Sequence, residues 1–546
     1  MADLTDKKIK DTYSGLYHVE RLSLTNKLTQ ADGTLITSGE YPLGYNNNAT
    51  GGVLACAFGI GNFATGVGSQ AFGGGNNSKG HFASSFGYDN TSSTNYCSAF
   101  GYQNQATGFA ASAFGYKNRA GFAASSFGYE SRASGEHSLA LGFQSKGYAA
   151  QATAIGYQSH GFGQYSTSIG RSNVASAESS IAFGKDNNAT AANSAAIGQS
   201  NSASASRASA FGYDNMAVGN NSSCFGHLNR ATGVSSAAFG FNNQIMGNSA
   251  VALGVGNRAT GSENTAVGVD NITRSQNSSA FGYENVASGL FSTAVGSKNE
   301  TFRSYDSSFG HENLTSGEKS LTIGYKNRTH FDNSLAMGSE NRASGIATVA
   351  IGYRNSGHLG TGVAIGVRNY LVTAATASEL GGVAIGRQNI SKGGTVVGIG
   401  NTGSAGSCVI GHLNTGELTA TAVGVGNKAG GSNSVAVGYA NLASANNASA
   451  FGYGVNNSVG GVVEIGQWDR GAKTRQGGIR IYNDGAVGIT LDNRASEYAD
   501  GGTAQGDEDV DALMREAYTI RRNGNQIILD VNIAGTVKNI NLGTAT

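Results

Sequence analysis

Ser112-Ala113-Phe114-Gly115-Tyr116-Lys117-Asn118-Arg119-Ala120 is one copy of a unit that returns, lightly edited, from about residue 55 to about residue 466. With its glycine as the marker, copies fall at Gly59, Gly73, Gly87, Gly101, Gly115 and Gly128, then at every fourteenth residue to Gly366. They resume at Gly386, Gly398, Gly411, Gly424, Gly438, Gly452 and Gly466, thirty in all. A fixed period of this kind is the signature of a repeat architecture, so length here counts coils rather than domains. The residue before each marker glycine is Phe, Ile, Val, Leu or Met, and the one before that is almost always Ala or Ser. That is a strand of four or five residues with two-residue sidedness.

The third residue after the glycine is Asn in 25 of the thirty copies, among them Asn104, Asn118, Asn229, Asn257 and Asn341. Asn tolerates left-handed backbone angles, bonds to nearby main chain, and forms an amide ladder when stacked, so these residues are expected at a tight corner. An Ala two residues later begins a second apolar patch, and glycines such as Gly108, Gly135, Gly233 and Gly345 offer a second corner. Two strands and two corners in fourteen residues make one turn of a solenoid. The fold class is all-β: an elongated parallel β-roll of about thirty coils with small terminal β modules. The large apolar residues, represented by Phe100, Phe114, Phe127, Ile155, Ile169, Phe211, Phe281, Ile351 and Ile365, are expected to fill the coil, and the Ala/Gly face to allow another backbone to approach. A coil this thin encloses little, so lateral association into a trimer is expected.

Composition agrees with an ordered repeat. The 84 glycines against one proline exclude collagen and proline-rich linkers, and the register of apolar residues excludes low-complexity disorder. A formal net charge of +1 gives no electrostatic footprint for nucleic acid or an anionic membrane, and no run approaches eighteen apolar residues, so neither nucleic acid nor membrane insertion is expected. Met1 to Lys10 is polar and lacks the apolar core of a signal peptide. Cys56, Cys97, Cys224 and Cys408 occupy slots filled elsewhere by Ser, Ala, Thr or Val, and read as small buried or half-buried thiols.

The chain divides into a cap or attachment module at 1–50, the roll at 51–470 with an irregular stretch at 366–424, a β-hairpin module at 471–498, and an acidic linker with a C-terminal β unit at 499–546. In the first segment, Asp32-Gly33 marks a hairpin turn, and Pro42 sits where a central strand would not tolerate it. In the last two, Asn483-Asp484-Gly485 marks a hairpin, and Val510 to Arg522 reads as a short helix passing into a strand. The period fails between Gly115 and Gly128 and between Gly366 and Gly424. Insertions in solenoids map to loops on one face, so Leu371, Thr373, Thr376, Ser378, Glu379 and Leu380 form the candidate receptor-binding loop.

No catalytic constellation, cofactor or metal is expected. Gly-rich fragments such as Gly73-Gly74-Gly75 sit at repeat corners rather than between a strand and a helix, and no Asp recurs at a fixed place as a calcium-binding roll requires. Tyr follows the marker glycine in eleven copies, a row that either binds sugars or seals a subunit interface, with the interface the favoured reading. His227, His311 and His412 share that slot, and Arg328 and Arg342 share another one coil apart, where stacked cations repel unless solvated or paired.

Units such as Asn248-Ser249-Ala250-Val251-Ala252-Leu253-Gly254 and Asn433-Ser434-Val435-Ala436-Val437-Gly438 resemble the YadA-like head repeats of trimeric autotransporter adhesins, over about 410 residues. The resemblance implies a left-handed roll, a homotrimer and an adhesive surface. Those adhesins also have a secretion signal, a heptad stalk and a membrane-anchoring barrel, none of which this sequence displays. Its opening stretch, with Lys8-Ile9-Lys10-Asp11-Thr12-Tyr13, is similar to the starts of some tailed-phage fibre proteins. The expected function is therefore a trimeric phage tail fibre, assembled in the host cytoplasm and carried on the virion. It joins other tail or baseplate proteins to a bacterial surface receptor, a polysaccharide or an outer-membrane protein. The alternatives are a bacterial surface adhesin and a polysaccharide depolymerase tail spike.

Overall fold

The computed structural model describes residues 41–50, 53–358, 360–372, 381–469, 474–483, 487–490, 518–523, 526–533 and 536–544. Within them every regular element is a β-strand, and the chain forms a parallel β-solenoid of about 29 coils. It falls into two compact units, Met1–Arg274 and Ser275–Thr546. In the first, five-residue strands run from Tyr41–Tyr45 to Thr265–Val269, and two-residue strands alternate with them from Phe63–Ala64 to Ile272–Thr273. In the second, the long strands run from Ser279–Tyr283 to Val463–Asp469, with short ones from Val286–Ala287 to Asn456–Asn457. Each residue pairs with its own equivalent one coil away, as Phe114 pairs with Phe100 on one side and Phe127 on the other.

Four slots per coil point inward, and all four hold small or amide side chains. In the coil of Gly115 they are Ala113, Asn118, Ala120 and Ala124, each fully buried. The large apolar residue points the other way: Phe100, Phe114, Phe127, Ile155, Ile169, Phe211, Ile351 and Ile365 are half-buried, and Phe281 is 37% exposed. The expectation that they fill the coil is thus reversed. A fourteen-residue turn closes around a space that Ala and Asn already fill at native packing density, so a phenyl ring has nowhere to go but outward. Ile245, 1% exposed, fills an inward slot of a coil whose other three are Ala238, Asn243 and Ala250, while other exceptions to the Ala rule are compensated in volume. Val396 and Val409 occupy inward slots opposite Gly403 and Gly416, where an added Cβ would lie 2.7 Å from a valine methyl. Leu371 likewise lies beside Gly357.

The marker glycine is fixed by the next coil of the same chain, which replaces the expected role in approach by another subunit. Gly115 has φ +118°, and a Cβ there would sit 2.1 Å from the carbonyl oxygen of Gly128. The left-handed corner residue is the one before the Asn: Gln103, Lys117, Leu228 and Glu340 have φ of 53°, 52°, 58° and 56°. The Asn itself turns its amide inward. Asn118 Nδ2 donates to Asn104 Oδ1 at 3.0 Å, to Phe114 O at 2.8 Å and to Gly128 O at 2.6 Å, while its backbone N–H donates to Asn104 Oδ1 at 2.9 Å. Asn104, Asn229, Asn257 and Asn341 repeat the pattern.

This ladder dictates where the period can break. Between the Asn and the second short-strand residue no coil changes length; every irregularity falls at the other corner. From Ala120 to Ser125 one residue is missing, and from Ser391 to Thr395 two are. The long coil after Gly366 keeps Gly366 opposite Gly386, and Asn389 Nδ2 still reaches Asn369 Oδ1 at 3.0 Å. Register survives a twenty-residue coil because the amide corner is untouched.

The ends of the chain obey different rules. Tyr41–Tyr45 pairs in parallel with Cys56–Ile60, so coiling begins about ten residues earlier than the expected boundary at residue 51. Pro42 lies in this first described strand. The last long strand, Val463–Asp469, pairs antiparallel with Thr474–Ile481, and Val487–Thr490, Tyr518–Asn523, Gln526–Ile533 and Thr536–Thr544 continue as an antiparallel meander. There the inward slot holds Glu464, 3% exposed, and Arg480 of the following strand supplies a guanidinium 3.4 Å away. A charge in that slot admits no further Ala-filled coil, so the pair closes the stack. The Asp32-Gly33 turn and the helix expected from Val510 lie outside the described residues.

Candidate interaction surface

Because the coil interior is filled with Ala, Asn and Ser, everything chemically distinctive points outward in columns along the stack. The long strand presents the apolar column. In the first unit it runs without interruption from Phe58 to Val267, and in the second from Phe281 to Ile465. Its rings stack: Phe72 on Phe86 at 4.7 Å, Phe86 on Phe100 at 4.6 Å and Phe100 on Phe114 at 4.7 Å between centroids, with planes within 4°. A contiguous apolar stripe of this length on one chain is a candidate interaction surface.

Two residues further on lies the aromatic column. Tyr88, Tyr102, Tyr116, Tyr129, Phe143 and Tyr157 stack in succession at 5.4, 5.1, 4.7, 5.0 and 4.9 Å. Each ring face is occupied by the next ring, so edges and hydroxyls reach solvent while the open face on which a sugar stacks is absent. His227 lies edge-on between Tyr213 and Phe241, and His311 stacks on Tyr325 while its Nε2 lies 2.9 Å from Glu312 Oε1.

The Asn corner carries a polar column and, beyond it, the short strand carries another. Over the coils where Ser131, Ser145 and Ser159 replace Asn, Gln144 Nε2 donates to Glu130 at 2.9 Å and Gln158 Nε2 to Gln144 at 3.0 Å, a self-satisfied ladder. From Glu284 to Arg354 the same column alternates in sign, and each cation pairs with the acid one coil before it. Lys298 lies 3.7 Å from Glu284, Lys326 3.2 Å from Glu312, and Arg354 2.5 Å from Glu340. The repeat reading singled out Arg328 and Arg342 but missed this alternation, which is visible in the sequence once Glu284, Lys298, Glu312, Lys326, Glu340 and Arg354 are aligned at their fourteen-residue spacing.

Of the expected receptor-binding loop, Leu371 is fully buried inside the coil and takes no part in a surface. Thr373, Thr376, Ser378, Glu379 and Leu380 lie outside the described residues. The thiols are free; Cys97 and Cys224 are inside the coil, and burial pushes Cys224 up to about 12. The second-corner inward slot, usually Ser or Ala, holds Asp306, fully buried. Its Oδ2 accepts from the Arg303 N–H at 2.9 Å and its Oδ1 from the Ser320 N–H at 3.2 Å, and burial raises it to about 6 despite these bonds.

The model of the YadA head domain repeat, built on two copies of the unit, matches residues 120–145, 163–187, 275–299, 332–355, 418–441 and 429–454. No curated protein matches the chain.

Proposed function

We propose, from the premise that this chain carries YadA head domain repeats, that it forms a homotrimeric adhesive fibre whose rolls pack through the outward apolar column. The observation that carries this reading is the unbroken run of Phe, Ile, Val, Leu and Met on the outer face of the long strands, half-exposed in a single chain. The repeat family supports three copies, since YadA-type heads assemble as homotrimers and bind host surfaces. The setting we favour is a bacteriophage tail fibre, made in the host cytoplasm and carried on the virion, where it links tail or baseplate proteins to a bacterial surface receptor. The similarity of Asp3 to Val19 to phage fibre starts supports that setting.

The same repeats suit a bacterial surface adhesin of the trimeric autotransporter type equally well. Immunogold labelling separates the two: label on virion tails supports the fibre, and label on the envelope of uninfected cells refutes it. We read the chain as a binding protein rather than a depolymerase. Incubation with purified surface polysaccharide, followed by size-exclusion chromatography, should leave the polymer length unchanged; shortened chains refute that reading.

A further inference from the structure

The groove at the Asn corner of the second unit, from Lys298 to Arg354, has a charge arrangement that the fold does not explain. Its volume is about 910 Å³, and Glu312, Lys326, Arg328, Glu340, Arg342 and Arg354 line it. Lys326 and Arg354 are neutralised by Glu312 and Glu340 in their own column. Arg328 and Arg342 are not neutralised. They sit on adjacent short strands, paired directly with one another in the parallel ladder, and both are exposed. Among the described residues neither has an ion pair, and the one side-chain bond of the two is from Arg342 Nε to Ser344 Oγ at 2.9 Å. Like charges directly opposite on neighbouring strands repel.

The surplus extends past the pair. Arg368 follows Arg354 one coil on, two cations in succession after the alternation from Glu284 to Arg354. His330 and His358 lie on the same short-strand side. Burial, then the neighbouring Arg342 and Arg328 and finally His358, holds the His330 imidazole below its ordinary value. Nδ1 of His330 is buried without a hydrogen-bond partner. Five cations and three acids line the groove, with Glu300 two coils from Arg328 in the same short-strand column, so the lining keeps an excess of positive charge.

We infer that this groove binds an acidic polysaccharide, with Arg328 and Arg342 gripping successive anionic groups, carboxylate or phosphate, of one polymer chain. Guanidinium groups stacked at the strand spacing of about 4.8 Å present a repeating donor fork to a repeating anion. The acids Glu312 and Glu340 beside them offer acceptors for sugar hydroxyls. No aromatic ring lines the groove, so nucleobases have nothing to stack on, and its one large apolar wall residue, Leu314, gives a hydrophobic peptide little to bury. The site lies on the corner and short strand, away from the apolar column of the long strand. This inference rests on the adhesive reading and names the ligand class for it.

The test uses the full chain in biolayer interferometry against immobilised polygalacturonate, polyphosphate, dextran and single-stranded DNA at physiological ionic strength. Two variants are compared: R328Q/R342Q, and R230Q/R258Q, which removes two arginines from the equivalent column of the first unit. The expected result is binding to polygalacturonate or polyphosphate, at least about tenfold weaker in R328Q/R342Q and unchanged in R230Q/R258Q, with dextran unbound. Whichever anionic polymer binds identifies the charge the site reads. Equal losses in the two variants, no loss in R328Q/R342Q, absence of binding to both anionic polymers, or tighter binding of DNA overturns the assignment. So does competition by inorganic phosphate as effective as that by polyphosphate of equal phosphate content, because a free-anion site would behave in this way. Adsorption to bacterial cells separates the two levels: cells that take up all three proteins equally refute this groove and leave the adhesive reading standing, whereas failure of the wild-type chain to adsorb refutes the adhesive reading itself.

Discussion

Replacing Asn229 with Ala tests whether the amide ladder, rather than apolar burial, holds one coil to the next. Asn229 Nδ2 donates to Asn215 Oδ1 at 3.0 Å, Phe225 O at 3.0 Å and Gly240 O at 2.7 Å; its Oδ1 accepts from Asn243 Nδ2 at 2.9 Å and the Asn243 N–H at 3.1 Å. Truncation leaves the buried Asn243 amide N–H without an acceptor and takes a donor from the part-buried carbonyls of Phe225 and Gly240. Leaving a buried polar group unsatisfied costs about 1–3 kcal/mol. The buried N–H at about 1–3 kcal/mol, with a smaller share from the two part-buried carbonyls, places the loss at about 3 kcal/mol, or about a hundredfold in a local opening equilibrium. Long repeat arrays do not unfold in two states, so a melting temperature dilutes a local effect. Hydrogen exchange read by mass spectrometry resolves it: amides from Ser223 to Val255 should exchange about a hundredfold faster, with distant coils unchanged. Asn229→Ser should lose roughly half as much, because Ser145 already shows that a hydroxyl recovers the carbonyl contacts, at 3.1 Å to Leu141 O and 2.7 Å to Gly156 O, but not the link to the preceding coil. An exchange change of less than about threefold in Asn229→Ala refutes the ladder as the main tie.

The remaining tests probe other parts of the fold. Ala238→Leu should disorder its coil, since an inward slot without spare volume makes overpacking cost at least about 1–3 kcal/mol, whereas Phe239→Ser should leave the coil intact and weaken trimer formation in native mass spectrometry. The reverse pattern refutes the inward and outward assignment. Gly226→Ala puts a Cβ 2.1 Å from the Gly240 carbonyl oxygen at φ +118°, and near-wild-type exchange in that variant refutes the close coil spacing. Asp306, raised from 3.8 to about 6, binds its proton more tightly in the folded chain than in the unfolded one. The coil is therefore most stable at low pH and loses stability as pH rises from about 4 through about 6. Protection from exchange around Ser307–His311, corrected for the intrinsic pH dependence, should fall over that window, and Asp306→Asn should abolish the fall.

The repeat, its strands, its Asn corner and the solenoid were legible because a fourteen-residue period constrains every copy alike. Orientation was not legible from hydrophobicity. Large apolar residues are ordinarily interior, and that rule assumes a core able to grow to fit them. A coil of this length has a fixed interior, and the relevant signal is constancy of volume. Before the closing Glu464, the slot two before the glycine admits Ala, Ser, Cys, Thr and Val, while the slot just before it swings from Val to Phe between neighbours, as at Phe281 and Val295. A packed interior of fixed size cannot absorb that swing, but an outer face shared with another molecule can. Pairing of Val396 with Gly403 and of Val409 with Gly416 carries the same message in the sequence, as compensation across one coil.

The charged groove was half legible for a related reason. Arg328 and Arg342 announce a conflict only once their register is known, since a slip of one residue would place them on opposite faces. The Asn corner, unbroken from Asn173 to Asn441, removes that freedom. It holds every coil in one register through the long insertion after Gly366 and the short coils that follow, because all length variation is expelled to the opposite corner. A side chain at this corner therefore keeps its place in a column from coil to coil, and selection can write a pattern along the stack: a glutamine ladder from Glu130 to Gln158, alternating ion pairs from Glu284 to Arg354, and beside those ion pairs an unneutralised arginine pair on the short strands. The rigid corner, more than the variable loops, is the surface on which this repeat can place a recognition site with fixed spacing.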